Sequence, residues 1–252
     1  IDYRTPKTLK DNRVEYEFLK ELNADLAIVC AYGQIIPENF LNLTKKGFVN
    51  IHASILPSWR GAAPIQRSIM NLDPETGISI MKIKKELDSG PVSNIYKIKI
   101  DQNQNAQEIS EKLSALAAEK ILDNVDDILE DKAKFIDQDH SKATYAKKID
   151  KEESRIDWDE DASKIIGKIN GLFPSPGASF SFNGERYKIL KAEIGNGIGQ
   201  VGEIISNQLE VACNKNQSIK ILEIQRQGKR PQKISEFMLG SQIKKGLKLS
   251  NV

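Results

Sequence analysis

Phe48-Val49-Asn50-Ile51-His52 is an apolar run broken at alternate positions by a polar side chain, and it runs straight into Ala53-Ser54-Ile55-Leu56-Pro57-Ser58-Trp59-Arg60-Gly61-Ala62-Ala63-Pro64. Successive side chains on a strand point to opposite faces, so Asn50 and His52 project one way while Val49 and Ile51 project the other. The strand must end at the Pro and Gly turn that follows. In α/β folds that C-terminal edge is where the sheet opens to small ligands. The chain is therefore constrained to put an amide and an imidazole side by side at the mouth of a sheet.

The surrounding pattern supports such a sheet. Leu26-Ala27-Ile28-Val29-Cys30-Ala31 is continuously apolar, as expected of a strand buried on both faces of a parallel sheet. Residues 63–72 read as a helix with Pro64 in its first turn, which gives βαβ order. Residues 77–83 and 95–100 alternate as strands, with Asp88 in the connection between them. One long helix is expected over 107–129, where Ile109, Leu113, Leu116, Ile121, Val125 and Ile128 recur at helical spacing.

The pattern then changes. Residues 132–150 are charged and weakly periodic, as a linker would be. A short helix is expected over 162–170, and after the Phe173-Pro174-Ser175-Pro176-Gly177 cluster come short alternating runs at 178–182, 187–194, 202–205, 209–212 and 218–225. Asn183-Gly184 is a hairpin signal between the first two. About five short strands fit a small OB-type barrel, and strand number by itself leaves a sandwich open. Gly195-Asn196-Gly197-Ile198-Gly199 lacks the helix and glycine spacing of a dinucleotide fingerprint and reads as a flexible hairpin loop. The organisation is thus α/β, a Rossmann-like unit at 1–131, a linker at 132–150 and a β-barrel at 151–252.

Charge is uneven along the chain. Residues 187–252 hold eleven Lys and Arg against five Glu and no Asp, a net of +6, so the remainder carries −4 within a total of +2. The basic end is a candidate surface for an anionic partner, against the plainer reading that lysines solubilise a β domain. No stretch approaches the ~20 consecutive apolar residues of a bilayer-spanning helix. No signal peptide is recognisable either, which leads to the expectation of a soluble, intracellular protein. Cys30 and Cys213 read as reduced packing residues.

Chemically, Asn50, His52 and a carboxylate from Asp88 suit acyl-type transfer to an amine. An amide N–H and an imidazole supply donors for a developing oxyanion, and an aspartate fixes the imidazole tautomer or takes the amine's proton through water. Each residue also has a plain alternative: Asn50 as a backbone-satisfied amide, Asp88 as a turn-former, Arg60 as a solvated loop charge. Ser54 lacks the Gly-x-Ser-x-Gly elbow of a hydrolase nucleophile. The cluster does not offer a full ligand set for a metal, so none is expected.

The run 50–67, then Glu75-Thr76-Gly77 and Leu87-Asp88-Ser89-Gly90, closely resembles methionyl-tRNA formyltransferases. Ala31-Tyr32-Gly33-Gln34-Ile35-Ile36-Pro37, Tyr145-Ala146-Lys147-Lys148, Ile156-Asp157-Trp158, Gln225-Arg226-Gln227-Gly228-Lys229-Arg230 and Phe237-Met238-Leu239-Gly240 extend the similarity over the whole chain. The resemblance implies formyl transfer from 10-formyltetrahydrofolate to the α-amino group of methionyl initiator tRNA. Asn50, His52 and Asp88 correspond to the catalytic trio, and Ser54, Ile55, Leu56 and Pro57 to the tetrahydrofolate site. Arg60, Lys229 and Arg230 are the expected tRNA contacts. A bacterial cytoplasmic protein is expected, with an organellar matrix as the lesser alternative, and a monomer is the default expectation. The Asn-His-Asp trio is shared with formyltransferases acting on amino sugar nucleotides or glycinamide ribonucleotide. The Trp59–Arg67 stretch and the basic barrel are what favour tRNA. The family also begins with a strand carrying a Gly-Thr-Pro-like turn and with a basic loop. This chain shows neither, which leads to the expectation of an incomplete N-terminus and an exposed sheet edge.

Overall fold

The computed structural model describes residues 3–250. The expectation about the chain's opening at Ile1-Asp2 therefore lies outside the described residues. In chain order the elements are α1 (Arg13–Glu21), β1 (Ala27–Cys30), α2 (Glu38–Leu41), β2 (Phe48–His52), β3 (Arg60–Gly61), α3 (Pro64–Met70), β4 (Glu75–Lys82), β5 (Val92–Lys99), α4 (Ala106–Leu129), β6 (Tyr145–Ala146), α5 (Ala162–Leu172), β7 (Ser179–Phe182), β8 (Glu185–Gly195), β9 (Glu210–Cys213), β10 (Gln217–Arg226), β11 (Gln232–Lys233) and α6 (Ile234–Gly240). They fall into two compact units: 1–64, 76–98 and 112–147 in one, and 65–75, 99–111 and 148–252 in the other. Among the described residues no helix is long and apolar enough to cross a membrane.

The first unit is built on a four-stranded sheet of order β1-β2-β4-β5. β1 and β2 run parallel, with Val29 opposite Asn50. β2 and β4 run antiparallel, with His52 opposite Ser79. The sheet is therefore mixed: the parallel pair β1–β2 is joined through α2, whereas β4, the strand after α3, runs antiparallel to β2, so the βαβ order read around that helix does not give a parallel pair. Alternation works as the sequence requires: Val49 is fully buried and clusters with Ile80 and Ile128 of α4, while Asn50 on the other face stays half-exposed. β5 starts earlier than the periodicity indicates because Val92 pairs with Ile136, which belongs to the segment read as a linker.

Two expectations for β1 are corrected. It is not buried on both faces: Ile28 and Cys30 share one exposed face, β1 being the edge strand of the sheet among the described residues. Cys30 is consequently not a packing residue. Cys213 is one, and burial pushes its thiol up to about 12.

The second unit carries the OB-like barrel, an antiparallel sheet of order β11-β10-β8-β7 with β9 paired to β10. The β7–β8 turn is the two-residue hairpin that Asn183-Gly184 signals. Both residues take positive φ, 49° and 78°, the combination a type I′ turn demands. Helix α5 lays Ile165, Ile166, Ile169 and Leu172 onto this sheet. Trp158, Phe180, Tyr187 and Phe237 follow one another through the core with ring centroids 5.9, 5.4 and 5.8 Å apart. Each fully buried aromatic or branched aliphatic contributes roughly 1.5–3 kcal/mol by leaving water.

The strand expected at 202–205 is reduced to single bridges, Glu203 with Lys248 and Ile204 with Val211. The stretch 195–199 is corrected as well. It joins β8 to β9, which are not neighbours, so it is not a hairpin loop. The Glu210 carboxylate pins it by accepting the N–H groups of Asn196 and Gly197 at 3.1 and 2.8 Å.

Candidate active site

At the end of β2, His52 is buried and its two ring nitrogens have different partners. Nε2 lies 2.9 Å from the carbonyl oxygen of Trp59. A carbonyl can only accept, so Nε2 carries a proton, and whenever the ring is neutral Nδ1 is its bare nitrogen. Nδ1 faces Asp88 Oδ2 at 3.7 Å, too far for a direct hydrogen bond and close enough for strong attraction once the ring is charged. The same oxygen accepts the backbone N–H of Gly61 at 2.8 Å. The tautomer of His52 is thus set by a backbone carbonyl, whereas sequence reasoning assigned that task to the aspartate.

Asn50, two residues back on the same strand face, is half-exposed, and among the described residues its carboxamide has no hydrogen-bond partner. The backbone-satisfied alternative for the Asn50 side chain therefore finds no support among the described residues. Asn50 and His52 thus share one strand face as the periodicity requires, and Asp88 is brought to within 3.7 Å of His52.

The loop after β2 is shaped by its own polar groups. Ser54 is buried, its hydroxyl donates to Ser58 O at 2.6 Å, and its carbonyl accepts from Ser79 Oγ at 2.7 Å. The Leu56 N–H donates to Ser79 Oγ at 3.0 Å and its side chain is buried. Only Ile55 and Pro57 of this quartet keep partly exposed apolar surface. The expected folate residues thus divide into two that hold the loop and two that can touch a ligand.

Arg60 requires a correction. Its side chain is 3% exposed, which places it out of reach of a nucleic acid. Its Nε and Nη2 donate to Gln138 Oε1 at 3.1 and 2.7 Å, and Nη2 also donates to His140 Nδ1 at 3.1 Å. A guanidinium with these acceptors is a structural cation rather than a docking charge. Lys229 and Arg230 are exposed in the β10–β11 turn, and among the described residues neither has an ion-pair partner.

The segment read as a linker proves to be a strap across the loop. Thr144 accepts the Arg60 N–H through its carbonyl at 2.8 Å and the Trp59 N–H through its hydroxyl at 2.9 Å. The carbonyl of Ala146 accepts from Ala62 at 2.9 Å. Gly61, at φ 118°, passes so close that a Cβ would stand 2.8 Å from Ala146 O. Gly90 is still tighter, since a Cβ there would fall 1.8 Å from Lys82 O. Gln138 and Thr144 were missed by sequence reasoning because nothing local marks them; their partners lie 48 to 85 residues away. Among the described residues no group of three or more His, Cys, Asp or Glu is placed to hold a metal ion.

Residues 3–125 match the formyl transferase family, and residues 148–242 match the formyl transferase C-terminal domain. A methionyl-tRNA formyltransferase from Pelagibacter ubique (strain HTCC1062) is 66% identical over 252 residues, covering all of this chain and 81% of that protein. The chain belongs to the methionyl-tRNA formyltransferase family. A second methionyl-tRNA formyltransferase, from Dictyoglomus turgidum, is 41% identical over 98% of this chain and 81% of its own length.

Solved structures agree on the fold. HypX from Aquifex aeolicus in complex with tetrahydrofolic acid superposes with a TM-score of 0.70 at 18% identity, over 93% of this chain and 41% of that one. WlaRD, a sugar 3N-formyl transferase in the presence of dTDP and 5-N-formyl-THF, gives 0.68 at 21% identity over 84% and 77%.

Proposed function

We propose that this protein transfers a formyl group from 10-formyltetrahydrofolate to the α-amino group of methionyl initiator tRNA, with Asn50, His52 and Asp88 as catalytic residues. The observation that carries the reading is the His52 arrangement: Nε2 committed to Trp59 O at 2.9 Å and Nδ1 turned toward Asp88 at 3.7 Å. The folate supplies the formyl carbon, and Ile55 and Pro57 offer it apolar contact on the loop that Ser54 and Leu56 hold in shape. The Asn50 carboxamide donates to the oxyanion that forms when an amine adds to that carbon. His52 Nδ1 accepts the proton that the amine sheds, and the Asp88 carboxylate stabilises the imidazolium so formed. The same Nδ1–H then protonates the departing folate nitrogen, so the C–N bond made and the C–N bond broken are balanced by one proton passed through His52.

Residues 1–131 are read as the catalytic domain and 151–252 as the tRNA-binding domain. The +6 charge of residues 187–252 supports that assignment, with Lys229 and Arg230 as phosphate contacts. The reading places the protein in the bacterial cytoplasm, acting as a monomer. The test is to supply the purified protein with 10-formyltetrahydrofolate and charged initiator tRNA and to follow formyl-methionine. Turnover on an amino sugar nucleotide or glycinamide ribonucleotide without product on tRNA would overturn it.

A further inference from the structure

Gln138 is buried, carries no charge, and saturates all four hydrogen-bonding positions of its carboxamide within the protein. A guanidinium only donates, so the side facing Arg60 is Oε1, which accepts from Nε and Nη2 at 3.1 and 2.7 Å. That leaves Nε2 to donate to the carbonyls of Asp88 and Gly90 at 2.9 and 2.7 Å. Those carbonyls flank the turn on which Asp88 stands at φ 45°, a left-handed conformation that aspartate tolerates in turns and that the two bonds from Gln138 hold in place. Gly61, next to Arg60 in sequence, donates its N–H to the Asp88 carboxylate at 2.8 Å. Together these bonds close a ring: Arg60 side chain, Gln138, backbone of Asp88, carboxylate of Asp88, backbone of Gly61.

We propose that Gln138, held by the buried Arg60, is a positioning residue that fixes the Asp88 carboxylate relative to Nδ1 of His52. It touches neither reactant. It acts by clamping the backbone on both sides of Ser89, so that the carboxylate stays within 3.7 Å of the imidazole. This rests on the reading of His52 and Asp88 given above. The buried guanidinium also gains a purpose, since Arg60 orients the carboxamide and a flipped amide would set a donor against it.

The test uses Gln138→Met, which keeps length and removes every hydrogen bond, and Gln138→Glu, which keeps an acceptor for Arg60 and removes both donors to the turn. Gln138→Glu carries the test if Gln138→Met does not fold, with thermal melting as the check. Both are expected to lower kcat on the order of ten- to hundredfold. KM for folate and for methionyl-tRNA should stay within about twofold, a split that a general loss of structure would not give. In an Asp88→Ala background Gln138→Glu should cost less than about twofold more, because the group it positions is gone. A folded Gln138→Glu protein with kcat near the parent's, or an equal loss with and without Asp88, overturns the proposal. An Asp88→Ala protein with undiminished turnover instead overturns the reading of the site on which it rests.

Discussion

Trp59 turns its carbonyl oxygen onto Nε2 of His52 at 2.9 Å from a backbone held at φ 61°. A bulky residue takes that conformation only when its neighbours over-determine it. Here Thr144 does so, gripping the Trp59 N–H at 2.9 Å. The outcome is a histidine whose acceptor nitrogen faces a carboxylate.

Nitrogen-15 spectra should show Nε2 as the protonated nitrogen of neutral His52. His52→Ala should lower turnover by about 10²- to 10⁴-fold while leaving folate affinity nearly unchanged. A loss confined to folate binding removes the role assigned to His52.

Gly61→Ala should destabilise the first unit. The new methyl group would stand 2.8 Å from Ala146 O on a backbone at φ 118°, strain of about 1–3 kcal/mol. Gly33→Ala is the control, since nothing lies within 4 Å of a Cβ there. At this chain length each kcal/mol moves Tm by about 2–4 °C, so melting curves separate the two variants. Equal Tm values for both would sink the close-approach argument.

The Arg67 guanidinium grips Glu153 through two hydrogen bonds, 2.5 and 2.9 Å, and holds its carboxyl below the usual 4.5 despite partial burial. A depressed carboxylate adds stability that is present above its unfolded value and is lost as pH falls through the lower folded one. Melting temperature should therefore decline as pH drops below about 4.5. Glu153→Gln should be less stable than the parent at neutral pH and converge with it in acid. Parallel curves at all pH values would show that the pair contributes nothing.

Replacing Lys229 and Arg230 with Ala should weaken tRNA binding and flatten its dependence on salt, by about 0.7–0.9 in log–log slope for each phosphate no longer neutralised. Filter binding across a salt series reads the slope directly. An unchanged slope excludes this turn from the tRNA surface.

Much of the molecule was legible in its residues. Asn50 and His52 share a face because a strand alternates, and Asn183-Gly184 makes its hairpin because both residues tolerate positive φ. The long α4 follows from apolar spacing, and it starts within a residue of where that spacing begins. The misreadings have a common cause. Cys30 looked buried because its run is apolar, yet among the described residues its face is exposed. The stretch 195–199 looked flexible, whereas the Glu210 carboxylate holds the backbone of Asn196 and Gly197. Arg60 looked like a surface charge, and 138–146 like a linker, because charged segments usually are.

The sequence by itself determined that Asn50 and His52 share one face and which strand presents them, since alternation and turn-forming residues act over a few positions. Only the tertiary structure decided how those groups are held: the Trp59 carbonyl on His52, the Gly61 N–H on Asp88, and Gln138 between Arg60 and the Asp88 turn. The physical reason is range. A hydrogen bond joining residues 50 or 80 positions apart leaves no periodicity in the chain, and it forms only once the strands have brought its donor and acceptor together.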